Sequence, residues 1–320
     1  MLEDKLLMGM SKCPLKREPN KFNSSNQISP SLRIKFIKLA IKECFEFYKE
    51  FFKYSHKNIN FDNLTKEYTD NIEIAYNLNL FLKGGIPEKD FLLLWCLHKF
   101  YRTEKYIESG VFIGSSLFAS ISSLKNAKII GIDPNLKNLK LTNDLISKCE
   151  LIDNKDFSEI DFGDVSKLRS LVFFDDHINA AERIIESHKK GFKFLIFDDA
   201  SGLEGISERL YPAFPTIPLI MNSNNISTGE EFSWIYNNHK NSSVTLSNKK
   251  EKMKYFFKIL WNNNSVKVTA KFSDLLLEKC KHAKSLIKKV VILPDMGDFL
   301  LPSKPMQSLI SQRKYLIQLY

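Results

Sequence analysis

Four short apolar runs in the middle of the chain each end in an acid or a glycine turn. Residues 106–112 read YIESGVF and run on into Ile113, Gly114, Ser115 and Ser116, and KIIGIDP sets Asp133 at its end. SLVFFDDH closes on Asp175, Asp176 and His177, and FKFLIFDDA on Asp198 and Asp199. Carboxylates in such places can accept hydrogen bonds from hydroxyl groups, hold a cation or take a proton, and a histidine there can act as general base or simply order its loop. Gly110 permits a tight turn, and Gly114 lets the following helix come close to the strand so that backbone amides face a ligand. Asp133 follows Gly110 by 23 residues, near the spacing at which an acid after the second strand receives ribose hydroxyls. The loop from Glu108 to Gly114 is looser than the dinucleotide fingerprint, which presses a pyrophosphate against the helix end. A ribose without a pyrophosphate points to adenosylmethionine.

For these groups to meet, the runs must be strands of one sheet. They alternate with helical patterns, which implies right-handed crossovers and parallel pairing, and IIGI, LVFF and FLIF are continuously apolar, as buried parallel strands are. In an open parallel sheet whatever follows each strand's carboxyl end lies along one edge. The expected fold is therefore α/β and Rossmann-like, with a mostly parallel sheet, an N-terminal helical extension and a divergent C-terminal region. Residues 150–162 hold one more strand ending near Asp156. Ahead of the core, Ile34, Ile37, Ile41, Phe45, Tyr48 and Phe52 recur three or four apart behind Ser29-Pro30, which predicts a helix of about 25 residues. Its stripe suits packing onto the core or onto a second copy of the chain. Residues 88–101 read as another helix. Beyond Ser201 the pattern weakens: KMKYFFKILW and SVKVTAKF are a hairpin or a helix and strand, residues 275–289 are helical, VVILP is a strand, and the end from Met306 reads as a short amphipathic helix. The resulting division is 1–29 as a flexible arm, 30–101 as the helical extension, 102–245 as the core and 246–320 as a region that completes or caps it.

The run from GGIPEKDFLLLW through YIESGVFIGSSLFA, KIIGIDPN, LVFFDDHINAAERII and FLIFDDAS, residues 84–201, resembles class I methyltransferases related to the cephalosporin hydroxylase-like, rhamnosyl O-methyltransferase and macrocin O-methyltransferase proteins. The resemblance implies S-adenosylmethionine as cofactor. It matches Glu108, Gly110, Gly114 and Ser116 to the loop for the methionine part, Asp133 to the ribose acid, and Asp198 and Asp199 to a paired acid. The expected cofactor-binding set is Glu108, Ser109, Gly110, Val111, Phe112, Gly114, Ser115, Ser116, Asp133 and Asp156. The family also implies a divalent cation such as Mg2+, for which Asp175, Asp198 and Asp199 would supply oxygen ligands, leaving room for two substrate hydroxyls. FFDDH departs from the family pattern, lacking its glycine and falling one residue short, so one acid of each pair capping a turn is the competing reading. His177 and Asp176 are the catalytic candidates. The acceptor expected is a small-molecule or sugar hydroxyl, chosen by residues 202–241, where Phe232, Trp234 and Tyr236 could stack on a sugar face or merely pack.

Composition narrows the alternatives. The chain has 320 residues, 43% hydrophobic and 26% charged, ordinary for a globular protein. No apolar run approaches the roughly 18 residues of a membrane span. The first residues lack an apolar segment followed by a small-residue cleavage site, so secretion is not expected. Five scattered cysteines without a CxxC pair speak against a disulfide framework or thiolate metal site and fit a reducing cytoplasm. The net charge of +10 invites a nucleic-acid or anionic-polymer reading, but only seven of the 47 basic residues are arginine, the residue best shaped for phosphate and base-edge recognition. A solvated basic surface accounts for the rest. A methyltransferase fold that has lost activity and serves as a binding or assembly module is the other alternative.

Overall fold

Ser29 accepts a hydrogen bond from the Leu32 amide and Pro30 occupies the first helical position, so α1 starts where the sequence signal falls and runs Pro30–Phe52. In this computed structural model the described residues are 29–53, 59–81, 85–176, 178–198, 215–237, 258–262, 265–296 and 314–320. Helix α2, Phe61–Asn77, is capped by the Asn60 side chain, which accepts from the Asp62 and Asn63 amides. Helix α3, Glu88–Tyr101, is buried along most of its circumference because α1 packs on its outer side and α4, Ser115–Ser123, on its inner side.

The core sheet comprises β1 Lys105–Ser109, β2 Lys128–Ile132, β3 Glu150–Ile152, β4 Ser170–Phe174, β5 Phe194–Phe197, β9 Ile287–Ile292 and β10 Tyr315–Leu319. Their order is β3-β2-β1-β4-β5-β10-β9, and β10 runs antiparallel to both neighbours while the first five strands are mutually parallel. Successive strand residues serve opposite faces. Tyr106, Leu171, Phe173, Ile196 and Leu316 join the core under α1–α4, whereas Ile107, Val172, Phe174, Leu195 and Ile317 join the core under α5 (Ala180–Lys189), α6 (Ile217–Asn222) and α7 (Asp274–Leu286). This three-layer arrangement explains the continuously apolar strands. A separate three-stranded antiparallel sheet joins β6 Glu231–Asn237, β8 Ser265–Lys271 and β7 Lys258–Asn262, so the two C-terminal apolar runs form a hairpin.

Three expectations need correction. The third strand ends at Ile152 rather than near Asp156, because Asp156 caps a turn over Phe157–Glu159, accepting from the Ser158 amide while Glu159 accepts from the Asp156 amide. The chain end is not a helix throughout: Tyr315–Leu319 is a strand in the middle of the sheet, where pairing on both sides outweighs a weak helical stripe. Helix α2, left unassigned by the sequence reading, has only Thr65, Tyr68, Ile72 and Ala75 buried, a stripe thinned by surrounding polar residues.

Candidate active site

Hydrogen bonding between the strands sets their ends abreast. Ser109 stands level with Ile132 on one side and Phe174 on the other, and Phe174 with Phe197. The next residue on each strand is Asp133 on β2, Gly110 on β1, Asp175 on β4 and Asp198 on β5. Backbone bonds carry the register through this rank, from Gly110 N to Ile132 O at 2.8 Å, Asp175 N to Ser109 O at 2.8 Å and Asp198 N to Phe174 O at 2.9 Å. With neighbouring strands about 4.8 Å apart, Asp133 and Asp198 stand roughly 14 Å apart along the carboxyl edge. Strand order reverses between β1 and β4, the place where an open α/β sheet leaves its ligand crevice.

At that point the two backbones touch. Gly110 has φ +96°, and a Cβ on it would lie 2.2 Å from the carbonyl oxygen of Asp175. Gly114, φ +89°, heads α4, and a Cβ there would meet the Leu139 side chain at 2.7 Å. Between them Phe112 takes φ +47° and stays 40% exposed. A bulky side chain in the left-handed region is strained, and Asp133 holds the backbone in place. Its Oδ2 accepts from the Val111 and Phe112 amides at 2.9 and 2.8 Å, and its Oδ1 from the Asn135 amide at 2.7 Å. The Ser115 hydroxyl accepts from the Ile86 amide at 2.9 Å, tying the approach to α3 onto the same loop.

Beneath the rim lie two polar networks, one on each face, because consecutive residues of β1 point to opposite faces. Glu108 faces α4: it accepts from the Ser116 hydroxyl at 2.7 Å and the Tyr106 phenol at 2.7 Å. Complete burial pushes its carboxyl up to about 8, assisted by the negative Asp133 and opposed by the two hydroxyl contacts. Behind it His98 sits between Thr103 Oγ1 and Ser120 Oγ at 3.0 and 2.8 Å, its pKa lowered to about 3 by burial and then by Lys99. Ser109 faces α5 and donates to Asp176 Oδ2 at 2.6 Å. Arg183, buried against the rings of Phe157 and Phe174, reaches Asp176 at 2.8 Å, Asp156 at 2.6 Å and Glu186 at 2.8 Å. Burial works against that guanidinium's charge, but its carboxylate partners outweigh it. Asp156 is held well below the usual carboxylate range by the Arg183 hydrogen bonds.

The structure thus brings Glu108, Ser109, Gly110, Val111, Phe112, Gly114, Ser115, Ser116, Asp133, Asp175 and Asp198 to one edge. Asp156 and Asp176 sit just under it, turned toward Arg183. His177 and Asp199 lie outside the described residues, as does most of the segment expected to choose the acceptor. Phe232, Trp234 and Tyr236 belong to β6, level with Ala270, Val268 and Val266 of β8.

Sequence reasoning missed Lys314. It precedes β10, whose Tyr315 is level with Phe197, so it arrives beside Asp198 as the next member of the rank. Its ammonium contacts Asp198 Oδ1 and Oδ2 at 3.0 and 2.9 Å and Asp90 Oδ2 at 2.6 Å, and the lysine is 4% exposed. Burial disfavours that charge, yet the two carboxylates together raise it above the ordinary lysine range. A divalent cation at Asp198, as the resemblance implies, would need those oxygens, and they already face a positive charge; the described residues do not fit such an ion. Among the described residues no group of three or more His, Cys, Asp or Glu side chains could hold a metal, and no helix is long and apolar enough to cross a membrane.

No protein family model matches the chain, and no curated protein does. Solved structures do share its architecture at low similarity. A putative O-methyltransferase from Klebsiella pneumoniae is 9% identical over 65% of this chain and 90% of its own, with a TM-score of 0.37. An O-methyltransferase from Bacillus cereus in complex with SAH is 11% identical over 65% and 91%, TM-score 0.34. An apo structure of CmcI is 17% identical over 41% of this chain, TM-score 0.32, and the chain spans only 61% of that protein's length. Likeness at this level does not decide what the chain does.

Proposed function

We propose that the chain is an S-adenosylmethionine-dependent O-methyltransferase acting on a hydroxyl of a small molecule or sugar. One observation carries this reading: Asp133, Gly110, Asp175 and Asp198 form a single rank at the edge where strand order reverses, with a glycine-bounded loop over it. Asp133 would receive the ribose hydroxyls, since Oδ1 takes only the Asn135 amide among its bonds to the loop and a carboxylate oxygen has two acceptor sites. The backbone of residues 110–114 would lie against the methionine part, a close approach that side chains at Gly110 or Gly114 would prevent. When bound, the cofactor supplies an electrophilic methyl group on a sulfonium sulfur. The chain's own contribution is chiefly alignment of the acceptor oxygen with that methyl, and the buttressed loop is built for fixed positioning. Asp175, at the centre of the rank, and His177, two residues on, are the groups from which a base for the hydroxyl proton would come. Asp176 serves instead to hold Ser109 and Arg183.

The experiment is calorimetric titration with S-adenosylhomocysteine. The expected result is binding in the micromolar range or tighter, weakened about 30-fold by Asp133→Ala through loss of charged hydrogen bonds. Unchanged binding in that variant removes the ribose assignment. A second reading has its own support: the acids after β4 and β5 are bound by Arg183 and Lys314, as in a binding module that no longer turns over. Cofactor binding without transfer to any of a broad panel of hydroxyl acceptors would favour it.

A further inference from the structure

We propose that Lys314 is a built-in cation at the β5 end of the rim, and that the chain therefore holds no divalent metal at Asp198. Three observations support this. The backbone register of β10 against β5 delivers residue 314 level with Asp198, so the pairing is set by strand geometry and not by a wandering surface chain. The ammonium is enclosed, with 3% of its side chain exposed, and it faces both oxygens of Asp198 and one of Asp90. Asp90 lies in the first turn of α3, whose N-terminal end is at this same edge, so two carboxylates from different layers converge on one positive charge.

Hard divalent cations bind where several carboxylate oxygens meet without a counter-charge. Here two acids meet, and the counter-charge is covalently part of the chain. A metal would have to displace an enclosed ammonium and leave it buried without partners, which is strongly unfavourable. Positive charge at this end of the crevice then does not depend on metal supply, and Lys314 also fastens β10 and α3 to the loop that follows β5. Lys314 is enclosed, so its part is to set the charge and position of Asp198 rather than to touch the acceptor. The inference deepens the methyltransferase reading, in which transfer would need no divalent ion, but its test uses cation binding alone, so the two can fail separately.

The test is Mn2+ binding to the full chain, followed by electron paramagnetic resonance of the unbound ion. The wild-type chain is expected to show no saturable site that Asp198→Asn removes. Lys314→Met, which leaves Asp90 and Asp198 facing each other, is expected to bind Mn2+ at least about tenfold more tightly than wild type, and the double variant with Asp198→Asn to lose that gain. A wild-type site of submillimolar affinity that disappears in Asp198→Asn overturns the proposal, as does a folded Lys314→Met with no gain. If Lys314→Met does not fold, the comparison of wild type with Asp198→Asn decides alone.

Discussion

Gly110 and Asp175 are in backbone contact: the space a Cβ on Gly110 would need is filled by the Asp175 carbonyl oxygen, 2.2 Å away. The loops after β1 and β4 are therefore seated on each other at the reversal of strand order, and neither can move aside for a side chain without disturbing the other.

Gly110→Ala should cost about 3 kcal/mol or more of stability, combining the positive φ with a clash against backbone. Gly163→Ala provides the control, because Gly163 also has positive φ, +67°, but nothing within 4 Å of its absent Cβ. That substitution should cost only about 1 kcal/mol. Urea unfolding of both variants measures the difference, and equal losses would show that the contact with Asp175 contributes nothing.

Glu108 should make stability depend on pH through its raised carboxyl. Its folded value of about 8 lies above the ordinary 4.5, with burial as the main cause. The folded state thus keeps a proton that the unfolded state has given up. This contribution is complete below about pH 4.5 and is lost as pH rises through about 8. Glu108→Gln keeps the shape and removes the titration, so the stability of wild type relative to this variant should fall by a few kcal/mol across that window. Thermal unfolding at closely spaced pH values is the measurement, and parallel curves for the two proteins would exclude a neutral Glu108.

How far the sequence reveals this arrangement depends on how local each signal is. Strands β1, β2, β4 and β5 announce themselves because each is an apolar run bounded by an acid or glycine, and the acids of the rim come with them. Lys314 carries no such signal: its partners Asp198 and Asp90 are 116 and 224 residues away, and it becomes part of the rim only when β10 inserts beside β5. Arg183 looks from sequence like an ordinary helical surface residue. It is buried because α5 lays it across the turns holding Asp156 and Asp176. Asp133 was legible as an acid at the right spacing, but not the second duty of its carboxylate, which is to restrain the backbone of Val111 and Phe112.

Phe112→Gly should separate strain from recognition. Relief of a left-handed phenylalanine, φ +47°, should offset the flexibility that glycine adds, leaving stability within about 1 kcal/mol of wild type. The exposed ring at the rim is then the main loss, and S-adenosylhomocysteine should bind about tenfold more weakly if the ring lies against the ligand. Calorimetry beside urea unfolding tests both halves. Undiminished binding would leave the ring without a role in the crevice.

Arg183→Met should be among the most damaging single changes outside the apolar core. It removes the buried partner of Asp156, Asp176 and Glu186 while leaving the carboxylates in place, a change that costs about 3–5 kcal/mol. The pH dependence identifies the cause. Asp156 is depressed below its ordinary 3.8 by Arg183, so its share of the stability is present above that value and lost as pH falls below it. The wild-type advantage over Arg183→Met should therefore be largest near neutrality and shrink below about pH 4. A difference that stays constant down to strongly acidic pH would mean that Arg183 acts by packing against Phe157 and Phe174 alone. Because Asp176 also receives the Ser109 hydroxyl, loss of the guanidinium should loosen the end of β1 as well, so ligand affinity and stability should decline together in this variant.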